Sequence, residues 1–140
     1  MSKVLDTISA TTTGGRNGHG ESSDGKLNVQ FSLAKALGGK GEGVTPEHLF
    51  AQGYSACFGS ALQYVAGLKK INVGTDFSIT AKVDLDQADD GNFQLVVELT
   101  AKAPAVADKA VLEELVKTAH TVCPYSRAIH GNVPVKLVVA

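Results

Sequence analysis

The sequence predicts an α+β fold in which antiparallel sheets pack around one long, central, buried helix. Three observations carry that prediction. A helical stretch from Thr45 to about Lys70 is apolar on nearly every side. Residues 4–12, 26–33, 76–87, 92–102 and 133–139 alternate or run apolar in the manner of strands. These strands and the helices come in groups, without strict alternation. With no internal repeat, linker or low-complexity tract, the 140 residues read as one domain, 1–140, large enough for a real core.

Residues 4–12 place Val4, Asp6, Ile8 and Ala10 at alternating positions, and a glycine-rich turn from Gly14 to Gly20 follows. The second strand sets Leu27, Val29, Phe31 and Leu33 on one face, so Arg16 is expected at the tip of a hairpin or meander. Residues 37–43 hold four glycines and read as a flexible loop. Thr45 suits an N-cap, Pro46 the first helical position, and Glu47 the positive helix end. The middle of that helix is small: Ala51, Gly53, Ala56, Cys57, Gly59 and Ala61. Small residues let another backbone approach, which points to helix crossing at a dimer interface. Asp89-Asp90-Gly91 turns one hairpin. Asp108 caps an amphipathic helix to Ala119, with Val111, Leu112, Leu115 and Val116 inward. A short helix begins at Cys123-Pro124 and runs to about His130.

Composition excludes several function classes. The formal charge is −1 with both signs scattered, so no basic stripe offers itself to nucleic acid and no cationic amphipathic face to a membrane. The N-terminus lacks an apolar leader-like core, and residues 49–68 are interrupted by Gln52, Ser55, Ser60 and Gln63. A cytoplasmic, reducing setting is the resulting expectation. There, two isolated cysteines mean reactivity or plain burial more readily than a permanent disulfide.

Local physics ranks the two cysteines. Cys123 precedes Pro124 at a helix start, where free amides favour a thiolate. Cys57 lies deep in a long helix whose amides are already bonded, and burial there raises a thiol pKa. On these grounds alone Cys123 is the nucleophile. Plain core remains the bland reading of both.

Three segments carry a resemblance. Thr45-Pro46-Glu47-His48-Leu49-Phe50-Ala51-Gln52-Gly53-Tyr54-Ser55-Ala56-Cys57-Phe58 is similar to the organic hydroperoxide resistance branch of the Ohr/OsmC superfamily. Thr13-Gly14-Gly15-Arg16-Asn17-Gly18 in front and Cys123-Pro124-Tyr125-Ser126 behind fall in the matching order. The resemblance implies an intertwined homodimer and a thiol peroxidase that reduces alkyl or fatty-acyl hydroperoxides. It implies that Cys57 is peroxidatic, that Cys123 resolves it by forming a disulfide, and that Arg16, oriented by Glu47, stabilises thiolate and departing alkoxide. It further implies regeneration by a dithiol, carried by a lipoyl-bearing protein, with no cofactor. The roles of the cysteines are thus the reverse of the helix-end argument. A permanent cation beside Cys57 is the physical reason available.

Phe50, Tyr54, Phe58 and Leu62 cluster around the cysteine turn and suit an apolar substrate mouth, with ordinary core as the competing reading. About 15 Å of helix separates Glu47 from Cys57 at 1.5 Å per residue, so either the first turn bends away or Glu47 serves the cysteine of a partner subunit, which the small-residue helix face favours. His120, Cys123 and His130 could suggest zinc, but a site would need Cys57 as well and would quench the thiols. His19 and His48 read as solvated. The competing function is a non-catalytic domain for an apolar ligand or lipid, with both cysteines inert. A general disulfide oxidoreductase is disfavoured by the missing CxxC.

Overall fold

The computed structural model describes residues 2–140, which divide into two compact units, one ending at Leu49 and one running from Phe50 to Ala140. The first holds an antiparallel three-stranded sheet of β1 (Ala10–Thr13), β2 (His19–Ser22) and β3 (Asn28–Gln30), in that order. β1 is shorter than the expected 4–12 strand. β2 offers it four partners, from Ala10 opposite Ser22 to Thr13 opposite His19, before the chain turns away at Asp24-Gly25. With no strand beyond that point to pair with, Val4, Leu5 and Ile8 stay exposed despite their alternation.

Between β1 and β2 the chain makes a single 3₁₀ turn, Gly15–Asn17. Gly14 enters it at φ 82°, a left-handed conformation that favours glycine. Any side chain at Gly18 would collide with the Thr13 carbonyl, so the loop is closed tightly around Arg16. The strand expected over 26–33 is paired over Asn28–Gln30. Phe31 is buried and bridges to Val44, whereas Leu27 is exposed, so the one-sided apolar face is only partly realised.

Helix α1 runs Pro46–Leu68. Its start carries an exchange between Thr45 and His48: the His48 N–H donates to Thr45 Oγ1 (3.3 Å) and the Thr45 N–H donates to His48 Nδ1 (3.0 Å). Histidine here does what Glu or Gln does in a capping box, so His48 is exposed as expected and also engaged by the cap. At the other end Lys70 takes φ 57° and the Ile71 N–H bonds the Ala66 carbonyl, ending the helix two residues before the sequence suggests.

In the second unit a mixed sheet is ordered β4 (Ser78–Gln87), β5 (Phe93–Lys102), β6 (Val135–Val139). β4 and β5 pair antiparallel over their full ten-residue lengths, from Ser78 opposite Lys102 to Gln87 opposite Phe93. The turn is a type I turn closed by Gly91 at φ 84°, with the Asn92 N–H held by Asp90 Oδ1. β6 joins β5 in parallel, so this sheet is not purely antiparallel. The crossover between them carries α2 (Lys109–Val122) and α3 (Pro124–Ile129). Asp108 caps α2 by accepting from the Ala110 N–H, and Leu112, Leu115, Val116 and Ala119 are its buried residues.

Tyr54, Phe58, Ala61, Leu62, Val65 and Ala66 of α1 join Val97, Leu99 and Ala101 of β5 and the inner face of α2 in one core. That face repeats at helical spacing. The opposite face, with Gln52, Ala56, Ser60, Gln63 and Tyr64, is exposed, so α1 is not enclosed all round within one chain. The sheet and α2 have one α1 face to cover; of the small Ala, Gly and Cys residues at mid-helix, Gly59 and Ala61 are buried, Ala51, Gly53 and Cys57 partly buried, and Ala56 alone is exposed. Among the described residues no helix is long and apolar enough to cross a membrane.

Candidate active site: a thiol pair and an arginine–glutamate pair

Two constellations assemble residues that are far apart in sequence. In the second unit the Cys123 thiol donates to Cys57 Sγ across 3.4 Å, and both cysteines are free. Cys57 comes from the middle of α1 and is partly buried; Cys123 is fully buried. Cys123 is the corner between α2 and α3. Its N–H bonds the Ala119 carbonyl and its own carbonyl accepts from Arg127, but its side chain makes no capping bond to α3.

The direction of the Cys123 thiol differs from the helix-end expectation. Cys123 stands at the N-terminus of α3 as expected, yet its thiol turns toward Cys57. The backbone amide of Tyr125, in the first turn of α3, acts on the Cys57 thiol and favours its charged form. Burial pushes the Cys57 thiol up from its ordinary value, and the Cys123 thiol adds to that, while the Tyr125 amide works against it. In this unit the balance favours the neutral thiol, so a Cys57 thiolate needs further positive charge.

Around the thiols sit four aromatic rings. Phe50 lies edge-on to Tyr54 (6.0 Å between centroids), Tyr54 to Phe58 (6.4 Å), and Tyr125 is tilted against Tyr54 (5.9 Å). Of the four residues expected to form a substrate mouth, Tyr54, Phe58 and Leu62 are completely buried, and Phe50 is partly exposed. Tyr125, which the sequence reading did not select as a lining residue, is 42% exposed and closes over Gly53, where a Cβ would meet its ring.

Sequence reasoning also passed over a polar chain beneath the thiols. Tyr54 Oη lies 2.6 Å from Ser126 Oγ, which lies 2.8 Å from His120 Nδ1. Burial pushes the Tyr54 phenol up and the His120 imidazole down, and nearby His130 lowers His120 further. Each hydroxyl and the imidazole can donate or accept, so Tyr54, Ser126 and His120 are joined in one continuous hydrogen-bonded chain. His120 is thereby committed to a hydroxyl. The signal was the Tyr-x-x-Cys and Cys-x-x-Ser spacing, legible only once α1 and α3 are known to meet.

The first unit holds the second constellation. Arg16 Nη1 and Nη2 donate to Glu47 Oε2 and Oε1 at 2.9 and 2.7 Å, a two-pronged pair. The hydrogen bond from Arg16 is the largest reason that the Glu47 carboxyl is held below its ordinary range, and Glu47 in turn pushes Arg16 up. Arg16 keeps 37% of its side chain exposed against 18% for Glu47, so a permanently charged guanidinium is fixed yet accessible.

Comparison with known proteins places the whole chain in a family. The OsmC-like protein family matches residues 39–138. An organic hydroperoxide resistance protein of Xanthomonas axonopodis pv. citri is 47% identical over 139 residues, covering 99% of this chain and 96% of its own. Among solved structures, an organic hydroperoxide resistance protein from Legionella pneumophila superposes with a TM-score of 0.92 at 46% identity, covering 99% of both chains. The OhrB protein of Bacillus subtilis gives 0.88 at 41% identity, covering 98% of this chain and all of its own. The chain belongs to the OsmC-like family and, within it, to the organic hydroperoxide resistance proteins.

Proposed function

We propose that this chain is a two-cysteine thiol peroxidase that reduces organic hydroperoxides to alcohols. The observation that carries the proposal is the 3.4 Å contact between Cys57 and Cys123. A partly exposed thiol against a fully buried one suits attack at the first and resolution by the second. Two inert core cysteines would have no need of the contact.

The Cys57 thiolate attacks the outer peroxide oxygen, breaking the O–O bond to give Cys57 sulfenic acid and an alkoxide that leaves as the alcohol. Cys123 then attacks the sulfenic sulfur; the S–O bond breaks, the S–S bond forms and water departs. A dithiol reductant returns both thiols, and a lipoyl-bearing protein is the carrier that the family resemblance implies. Arg16 supplies the positive charge that Cys57 lacks and stabilises the developing alkoxide, with Glu47 fixing its orientation.

The arginine–glutamate pair serves Cys57 of the partner subunit. About 15 Å of helix lies between Glu47 and Cys57, beyond the reach of a side chain. The face of α1 left open by this chain, Gln52, Ala56, Ser60, Gln63 and Tyr64, supports a homodimer in which that second chain is present. Substrate tails gain about 25 cal/mol per Å² of apolar area buried, an advantage hydrogen peroxide cannot use. Phe50 gives such a tail its exposed apolar contact, while Tyr54, Phe58 and Leu62 form the floor behind it.

Titration with tert-butyl hydroperoxide tests the proposal. Without reductant, one peroxide is consumed per chain as both thiols disappear into an intramolecular disulfide. Unchanged thiols after a peroxide excess would rule it out.

A further inference from the structure

The Tyr54–Ser126–His120 chain takes no part in the chemistry just described, yet each member stands three residues from a cysteine. Tyr54 precedes Cys57 by three on α1, which puts the two on one face, one turn apart. His120 precedes Cys123 by three and Ser126 follows it by three. The His120–Ser126 bond of 2.8 Å therefore staples the α2–α3 corner that has Cys123 at its apex. The Tyr54–Ser126 bond of 2.6 Å fastens that corner to α1 beside Cys57.

Packing alone does not require these groups. A phenylalanine would fill the Tyr54 site, and a buried hydroxyl left unbonded costs about 1–3 kcal/mol. Tyr54 is fully buried and Ser126 is 2% exposed, so both hydroxyls depend on this chain for partners. A fully bonded polar chain in an apolar core fixes one arrangement of its elements by direction as well as by contact. Cys123 has need of such a fixture, because its own side chain makes no bond to α3. At the outer end of the chain His120 and Ser126 line a cavity of about 460 Å³ with Thr121, Arg127 and His130.

We propose that Tyr54, Ser126 and His120 are positioning residues for the resolving step, holding Cys123 against Cys57 so that sulfenic acid passes to disulfide faster than it meets anything else. The proposal rests on the peroxidase reading for the step it names. The geometry it concerns, two thiols kept within bonding reach, can be measured without peroxide.

The test uses Ser126→Ala, His120→Leu and His120→Asn, the last of which keeps a hydrogen-bonding group near the Nδ1 position. Single-turnover oxidation by tert-butyl hydroperoxide, with dimedone to trap sulfenic acid, gives the rates of the first step and of disulfide formation. The ratio of second to first is expected to fall about tenfold or more in Ser126→Ala and His120→Leu, and to stay within about threefold of wild type in His120→Asn. A role in folding alone would lower the melting temperature without moving that ratio. Equilibration of each variant with oxidised and reduced dithiothreitol then gives the effective concentration of one thiol at the other. About a tenfold fall is expected in the two disruptive variants and none in His120→Asn. An unchanged ratio and effective concentration in Ser126→Ala would overturn the proposal, as would a His120→Asn variant as impaired as His120→Leu. If wild type consumes no peroxide, the peroxidase reading fails, and the dithiothreitol equilibria decide the positioning role by themselves.

Discussion

Arg16 and Glu47, thirty-one positions apart, meet through two parallel hydrogen bonds of 2.9 and 2.7 Å. A lysine cannot reproduce that fork, because its ammonium is a point charge on a flexible stem. Arg16→Lys therefore keeps the sign of the charge and loses its placement. We expect kcat/KM for an organic hydroperoxide to drop about 10²-fold, in the range seen when one fixed donor to a developing oxyanion is removed. Steady-state peroxide consumption checks this, and the pH profile of Cys57 alkylation should move to higher pH.

The same pair makes stability depend on acid. Glu47 has a folded pKa below its ordinary value of 4.5, chiefly through the Arg16 hydrogen bond. The unfolded chain thus takes up a proton first as pH falls. The stabilisation is fully present above about pH 4.5 and is lost as pH falls through the lower, folded pKa. Urea melts of wild type and Glu47→Gln over this interval should converge toward the acid end. Curves that run parallel throughout would deny the pair this role.

The exposed stripe of α1 gives a prediction about assembly. Ala56 is exposed on that face, one position from Cys57 in sequence. Ala56→Glu would bury like charges between two crossing helices if the stripe forms the homodimer contact, a cost of several kcal/mol per ion. Sedimentation should show a dimer for wild type and a monomer for the variant, with peroxidase turnover lost alongside.

Much of this was legible before any coordinates. The long helix, the 76–87 and 92–102 strands and the Asp108-capped helix all announce themselves by local chemistry: a Thr-Pro-Glu start, period-two alternation about Asp-Asp-Gly, an Asp before an amphipathic run. Residues 4–9 misled because alternation reports only a willingness to pair, and β2 is too short to pair with them. Cys123 misled differently. Its position at a helix start was legible, but the direction of its thiol is set by tertiary contact. That contact turns the thiol toward Cys57 Sγ, 3.4 Å away, and leaves α3 without a cap bond from it. Tyr54 read as one more aromatic, since nothing local reveals that its hydroxyl meets Ser126, seventy-two positions later.

Single-turnover peroxide consumption by Cys57→Ser and Cys123→Ser measures the division of labour between the two cysteines directly. Cys123→Ser should consume one equivalent of tert-butyl hydroperoxide at close to the wild-type first-turnover rate and stop there as a trappable sulfenic acid. Cys57→Ser should consume none. A Cys57→Ser variant that still completes the first turnover, with Cys123→Ser inert, would contradict the account and return the nucleophile to the helix end.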